Sequence, residues 1–293
     1  MIGLLGEGFV ERYLELSREK ESILCVGLDP AVRGMRERYL VPQPLIERHG
    51  LRGGVKRFCL DIIEAVAPYT AMIKPNAQYL TYILTLEDLR EIVEAIHEAD
   101  CLALLDAKLS DISSTNQAAL HWIGAVGFDA VTFSPYPGYD GGCDVIYRWA
   151  EEGDKGIFVL CRMSNPGARE IQGLIVEDEP LYIRVAREAY RRGANGFVVG
   201  CTAIEELGAV REIIGEEPLI LSPGLGPQGG DPAAAIKLGS NSRGEGLIVA
   251  SSRSIDYAYE VRGLSWERYA EAAAREAERR RDELNRLRRL VFG

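Results

Sequence analysis

Short apolar runs alternate along this chain with longer stretches whose apolar residues recur every three or four positions, the pattern of repeated strand–helix units around a parallel sheet. Eight runs are expected as strands: Ile23 to Leu28, Ala71 to Lys74, Cys101 to Lys108, Ala130 to Phe133, Gly156 to Cys161, Gly196 to Gly200, Pro218 to Ser222 and Gly246 to Ala250. The helical period between them predicts helices that include Leu86 to Ala99, Ser114 to Val126, Leu181 to Arg192, Thr202 to Ile214 and Asp231 to Leu238. The residues at and just past the strand ends separate two architectures. Asp29, Lys74, Asp106 with Lys108, Ser134, Ser164 with Asn165, Thr202, Ser222 with Gln228, and Ser251 with Arg253 gather at the C-terminal strand ends. A doubly wound sheet concentrates ligand contacts at one switch point, whereas a barrel builds its site around the whole C-terminal rim. The expected fold class is therefore α/β, a (β/α)8 TIM barrel, forming one domain over residues 1–293.

Three segments stand outside the repeat. Residues 8 to 20 predict a helix that closes the barrel bottom. Residues 31 to 54, with Pro42, Pro44, Gly50, Gly53 and Gly54, read as an insertion after the first strand, either a cover for the site or decoration. From Ser265 to about Val291 runs a helix dense in Arg and Glu, with Trp266, Tyr269, Ala273, Leu284, Leu287 and Leu290 as its apolar stripe. It is expected to be the eighth outer helix with an extension.

Composition narrows the function classes. The net charge is −10 and the basic residues are scattered except in that last helix, which argues against a general nucleic-acid binder. Small anionic ligands need only a local positive site and stay open. No stretch approaches the length of a membrane span and the N-terminus lacks a basic-then-apolar leader, so a soluble, cytoplasmic protein is expected. Cys25, Cys59, Cys101, Cys143, Cys161 and Cys201 are widely spaced, mostly in apolar segments and without a C-x-x-C pair, and read as buried free thiols.

Candidate chemistry concentrates at Asp106-Ala-Lys108-Leu-Ser-Asp111, at the end of an apolar run. In an extended strand, positions two apart share a face, so Asp106 and Lys108 should project together, with Asp111 beyond the strand. Buried charges are costly unless paired, so both a structural ion pair and a catalytic array fit this cluster. The second feature is Ser222-Pro-Gly-Leu-Gly-Pro-Gln-Gly-Gly-Asp-Pro232. Its glycines let backbone N–H groups approach a ligand, Asp231 and Pro232 suit a helix cap and first turn, and this place in a barrel suits phosphate. Arg253, beyond the last strand, would add a charge-assisted clamp. His49, His97 and His121 lie in the insertion and in helices, where packing or solvation is the expected role.

Taken in order, GLD at 27 to 29, IKPN at 73 to 76, DAKLSDISST at 106 to 115, SNPGA at 164 to 168, PGLGPQGGD at 223 to 231 and SRSI at 252 to 255 resemble the orotidine 5′-monophosphate decarboxylases, in their longer bacterial and archaeal branch. The resemblance spans about residues 23 to 256 and implies decarboxylation of orotidine 5′-monophosphate to UMP and CO2 without metal or organic cofactor. It implies that Asp29 holds the ribose hydroxyls, that Lys74 and Asp106 belong to a charged array, and that Lys108 donates the proton to C6 of the pyrimidine. Asp111, Ile112 and Thr115 would reach the neighbouring subunit's site in a homodimer. Ser164 would read the pyrimidine edge, and Gln228 and Arg253, with Pro223, Gly224 and Gly229, would hold the phosphate.

Two other readings differ in testable ways. Sugar-phosphate decarboxylases and aldolases of the same superfamily resemble the chain at D-x-K-x-x-D but hold Mg²⁺ with an acidic residue after the second strand, where this chain has Lys74. A non-catalytic nucleotide-phosphate binding protein would have no need of the complete charged array found here.

Overall fold

The computed structural model describes residues 7–224 and 231–293. Eight parallel strands close into a barrel in which every strand lies beside its neighbours in sequence, and the first pairs with the last. Numbering the barrel strands alone, they are β1 (Leu24–Leu28), β2 (Met72–Pro75), β3 (Leu102–Leu109), β4 (Ala130–Phe133), β5 (Gly156–Arg162), β6 (Gly196–Val199), β7 (Leu219–Pro223) and β8 (Leu247–Ser251). Each lies within a residue or two of its expected place.

Alternation along the strands sorts the core into two layers. Leu102, Leu104, Ala130, Phe158, Val198, Leu219, Leu221, Ile248 and Ala250 pack inside the barrel. Ala103, Leu105, Val131, Ile157, Val159, Ile220 and Val249 face the surrounding helices. A period of two produces both faces from one apolar run, which is why these strands read as continuous rather than alternating hydrophobic segments. The same alternation corrects part of the expected rim. Ser222 and Ser251 fall on the helix-facing side; the Ser222 hydroxyl donates to Val199 O at 2.7 Å, and Ser251 pairs with Ser254 at 2.8 Å.

The first helix, α1 (Glu7–Glu19), closes the N-terminal end as expected. Phe9, Val10 and Tyr13 belong to the interior cluster, and the Phe9 ring meets Phe158 edge to face at 6.1 Å. Gly156 makes room for this plug, since a Cβ there would stand 2.4 Å from the Phe9 ring. Lys20, just beyond α1, donates to Ala67 O at 3.0 Å and Ala99 O at 2.8 Å, satisfying carbonyls beyond the C-terminal ends of two outer helices.

The segment expected as an insertion is largely helical. The chain from Gln43 to Val66 forms α2, broken at Gly50, whose φ of 72° and ψ of 168° turn the chain between two helical halves. A Cβ at Gly54 would lie 2.9 Å from Leu45 O, so the glycines that suggested a loop instead let the halves cross closely. Only the stretch between β1 and Gln43 remains irregular cover. A small hairpin, Ile175–Val176 with Glu179–Pro180, had no counterpart in the expected elements.

The remaining long outer helices are α3 (Leu86–Glu98), α4 (Ser113–Val126), α5 (Asp144–Gly153), α6 (Leu181–Arg191), α7 (Ile204–Ile214), α8 (Pro232–Gly239) and α9 (Tyr269–Phe292). α9 packs against both α2 and α8, as an eighth outer helix must, and its extension carries Asn285 to Glu21 O and Arg288 to Gly244 O. Tyr269, Ala273 and Leu284 of its expected stripe are buried, but Leu290 is exposed, because at this end of the helix the face carrying Arg288 and Phe292 meets the loop at Gly244. The six cysteines are buried, as expected. No described helix is long and apolar enough to cross a membrane.

Removing the Phe9 ring leaves a cavity between α1 and the interior of the barrel. Phe9→Ala is expected to lower stability by about 3–5 kcal/mol, read as a lower urea midpoint at unchanged m value; a loss below about 1 kcal/mol would show that the ring is not the plug.

Candidate active site

Interior positions of β2, β3 and β4, continued two residues toward the C-terminal end, change from apolar to polar or charged. Lys74 follows Met72 on β2, Asp106 follows Leu104 on β3, and Thr132 follows Ala130 on β4. On β1 the corresponding place is Gly27, where a Cβ would stand 1.9 Å from the Ser252 hydroxyl and 3.7 Å from Lys74 Nζ. The barrel mouth is therefore lined by polar groups supported from below by its own apolar interior.

A row of alternating charge occupies this mouth. Lys74 Nζ donates to Asp106 Oδ2 at 2.8 Å, and Lys108 Nζ donates to Asp106 Oδ1 at 2.5 Å. Lys74 and Asp106 are buried, while the Lys108 side chain is 41% exposed and faces the opening. Burial pushes the Asp106 carboxyl up, but the Lys74 and Lys108 ammonium groups outweigh it and hold the group well below the usual carboxylate range. Burial likewise pulls Lys74 down, and the carboxylates of Asp106 and Asp29 more than reverse this. The stabilisation from Asp106 is thus lost only as acid titrates it through its lowered folded value. That from Lys74 is lost only as alkali passes its raised one.

Lys108 reaches Asp106 by a route that simple alternation does not describe. Leu105 pairs with Val131 and Leu109 with Phe133, so four steps along β3 match two along β4, and the surplus residues bulge. Within the bulge Lys108 adopts a φ of 52°, in the left-handed region. Its N–H donates to the Thr132 hydroxyl at 3.0 Å, and that hydroxyl donates to Asp106 Oδ1 at 3.0 Å.

Asp29 stands beside the row. Its Oδ1 accepts from Asn76 Nδ2 at 3.0 Å, and its Oδ2 lies 3.6 Å from Arg36 Nη2. Arg36 is itself held by the Tyr79 hydroxyl and stacks over that ring at 4.5 Å. Beneath, Asp256 Oδ2 accepts from Asp29 N at 3.2 Å, and the Tyr257 hydroxyl donates to Asp29 O at 2.7 Å. Burial, with Asp29 adding to it, pushes the Asp256 carboxyl well up. Sequence reasoning missed Thr132, Asn76, Arg36, Tyr79 and Asp256. Asn76 was visible within IKPN, and Thr132 as the one hydroxyl in an apolar strand; Arg36 had no signal, because only folding brings it to Asp29.

Across the mouth, the Thr202 hydroxyl donates to Ser164 O at 3.2 Å, and Gly224, at φ 100°, sits against the Ser164 side chain. Pro223 ends β7 and accepts at its carbonyl from Cys201 N at 2.9 Å. Arg253 is exposed at the first position of a short helix, Arg253–Asp256. Asp231 caps α8, accepting from Ala233 N at 2.9 Å, with Pro232 in the first turn as expected. Gln228 and Gly229 lie outside the described residues.

Asp111, Ile112 and Thr115 do not join the row within one chain. All three are exposed at the start of α4, where Asp111 Oδ1 accepts from Ile112 N at 2.7 Å. Gln172 caps the loop after β5 by accepting from Met163 N at 2.8 Å, and Tyr136 is exposed. His97 is exposed at the surface and engaged by Asp129, which also accepts from Ala103 N, away from the charged row. A cavity of about 430 Å³ lies at the opposite end of the barrel, but its Arg18 and Arg243 already share Glu245.

Comparison with known proteins agrees with this geometry. The sequence profile of the orotidine 5′-phosphate decarboxylase / HUMPS family matches residues 22–268. An orotidine 5′-phosphate decarboxylase of Cupriavidus necator is 36% identical over 288 residues, covering 96% of this chain and 98% of the relative. One from Aromatoleum aromaticum is 38% identical over 279 residues, covering 92% and 96%. The structure of Leishmania donovani OMP decarboxylase superposes with a TM-score of 0.75 at 28% identity, covering 94% of this chain and 98% of that one. A charged row on the rim of a barrel, a match along most of the chain and relatives of equal length together make this chain a member of the orotidine 5′-phosphate decarboxylase / HUMPS family.

Proposed function

We propose that this chain decarboxylates orotidine 5′-monophosphate to UMP and CO2 in pyrimidine biosynthesis, and that it does so as a cytoplasmic homodimer. The observation that carries the reading is the Lys74–Asp106–Lys108 row, with two ammonium groups on one buried carboxylate at the barrel mouth. In the reaction the bond from C6 to the carboxylate breaks, CO2 departs, and the electron pair stays on C6. No adjacent carbonyl accepts that pair, so fixed charge must stabilise it. Lys108 supplies a positive charge next to C6 and then donates its proton there, water restoring the ammonium. Asp106 orients Lys108 and disfavours the substrate carboxylate in the ground state, while Lys74 keeps Asp106 ionised. Two unit charges about 4 Å apart at an effective dielectric near 20 interact by roughly 4 kcal/mol, about a thousandfold in rate. The remainder must come from carbanion stabilisation and from binding energy supplied by the remote phosphate.

In this reading Asp29 holds the ribose hydroxyls and Ser164 meets the pyrimidine edge. Arg253, Gln228 and the backbone of Pro223, Gly224 and Gly229 hold the phosphate. Asp111, Ile112 and Thr115 complete the site of a second copy. Three adjacent loops support that contact by presenting large apolar side chains to solvent: Tyr82 after β2 is 83% exposed, Ile112 after β3 59% and Tyr136 after β4 90%. No observation favours the Mg²⁺-dependent relatives, since the place of their acidic residue is held by Lys74 in an ion pair.

Lys108→Ala is expected to lower kcat by about ten-thousandfold or more while UMP binding persists; turnover at the original rate would remove Lys108 from its role. The unaltered enzyme should keep its activity on orotidine 5′-monophosphate after exhaustive chelation, and a requirement for Mg²⁺ would favour the sugar-phosphate reading. Mixing inactive Lys108→Ala and Asp111→Ala chains should restore activity through mixed dimers that carry one intact site, and no recovery after proven exchange would place Asp111 in its own subunit's site. Arg253→Ala should raise KM about 10- to 100-fold through loss of a charge-assisted bond, with an unchanged KM showing that the phosphate is held elsewhere.

A further inference from the structure

Thr132 is a hydroxyl in an otherwise apolar strand, buried on the interior face of β4 one layer above Ala130. Its surroundings use both of its hydrogen-bonding capacities. The single hydroxyl proton goes to Asp106 Oδ1 at 3.0 Å, and an oxygen lone pair accepts the Lys108 N–H at 3.0 Å. The same Asp106 oxygen accepts from Lys108 Nζ. Main chain and side chain of Lys108 are therefore both fastened to one carboxylate oxygen, the side chain directly and the main chain through Thr132.

The register of the sheet explains why a side chain is needed there. At the bulge between Leu105 and Leu109, β3 departs from its ladder with β4, and the Lys108 N–H donates to a side-chain hydroxyl of β4. Lys108 also holds a left-handed φ of 52°, a conformation that costs free energy for a residue with a Cβ and persists where neighbouring contacts fix it. The Thr132 hydroxyl supplies such a contact and joins it to the ionised acceptor of the charged row. Bonds in series polarise one another, so each is stronger here than it would be alone.

We infer that Thr132 is a positioning residue for the reaction: its hydroxyl fixes the backbone of Lys108 and one oxygen of Asp106 in a single arrangement, holding the ammonium at the reacting carbon. The inference rests on the reading in which Lys108 and Asp106 carry the chemistry. A group that orients the proton donor affects the chemical step and leaves the remote phosphate contacts untouched, so its loss falls on kcat rather than on KM.

The test compares Thr132→Val, which keeps the shape and removes the hydroxyl, with Thr132→Ser, which keeps the hydroxyl. Thr132→Val is expected to lower kcat about 10- to 100-fold with KM and UMP affinity within about twofold, and Thr132→Ser to retain kcat within about threefold. Should the valine variant fail to fold, Thr132→Ala against Thr132→Ser makes the same comparison. Unchanged kcat without the hydroxyl, a serine variant as slow as valine, or a loss confined to KM would overturn the inference. Lys108→Ala, assayed alongside, separates the two ideas: its activity would end the catalytic reading, whereas an inert Lys108→Ala beside a fully active Thr132→Val would end only the assignment of Thr132.

Discussion

The site depends on a carboxylate that is buried and nevertheless ionised. Asp106 sits where water is largely excluded, and isolated burial would drive it to the neutral form. Two ammonium groups and a hydroxyl converge on its two oxygens and reverse that tendency. Each partner comes from a different position on the sheet: Lys74 from β2, Lys108 from the bulge of β3 and Thr132 from β4. Removing any one leaves an uncompensated charge or polar group, which is costly because the surrounding medium cannot reorganise to replace it.

The barrel makes such convergence possible by dividing labour along its axis. At the N-terminal end the interior is filled by Phe9, Tyr13 and Phe158, so the strands are held apart at a fixed spacing by packed side chains. At the C-terminal end the same interior positions carry Lys74, Asp106 and Thr132. Rigid support below and charge above arise from one alternation, and the charged groups inherit the precision of the packed layer on which they stand. The irregular stretch after β1 adds Arg36, which reaches Asp29 and ties that carboxylate to Tyr79.

The eight strands and most outer helices were legible because their signals are periodic and local, and burial on one or both faces imposes that period directly on the residues. The helix α2 was hidden for the opposite reason. Its glycines serve a close helix crossing and a sharp break at Gly50, but in one dimension they look like loop residues. Ser222 and Ser251 were read as rim groups, yet one step of alternation places each on the outer face, a difference that position near a strand end does not reveal. Leu290 fitted the helical stripe, but at that end of the helix a different face, carrying Arg288 and Phe292, meets the rest of the protein.

By itself, the sequence determined the barrel, the charged segment from Asp106 to Asp111, Lys74 and Asp29 as its neighbours on the rim, and the family resemblance, since all of these rest on residue order and local periodicity. Tertiary structure alone decided that Lys108 turns through a left-handed bulge, that Thr132 bridges it to Asp106, and that Arg36 and Asp256 bracket Asp29. These contacts join residues on different strands and loops. Their existence depends on strand register and on which groups burial leaves without water, quantities set by the closed sheet as a whole rather than by any segment of the chain.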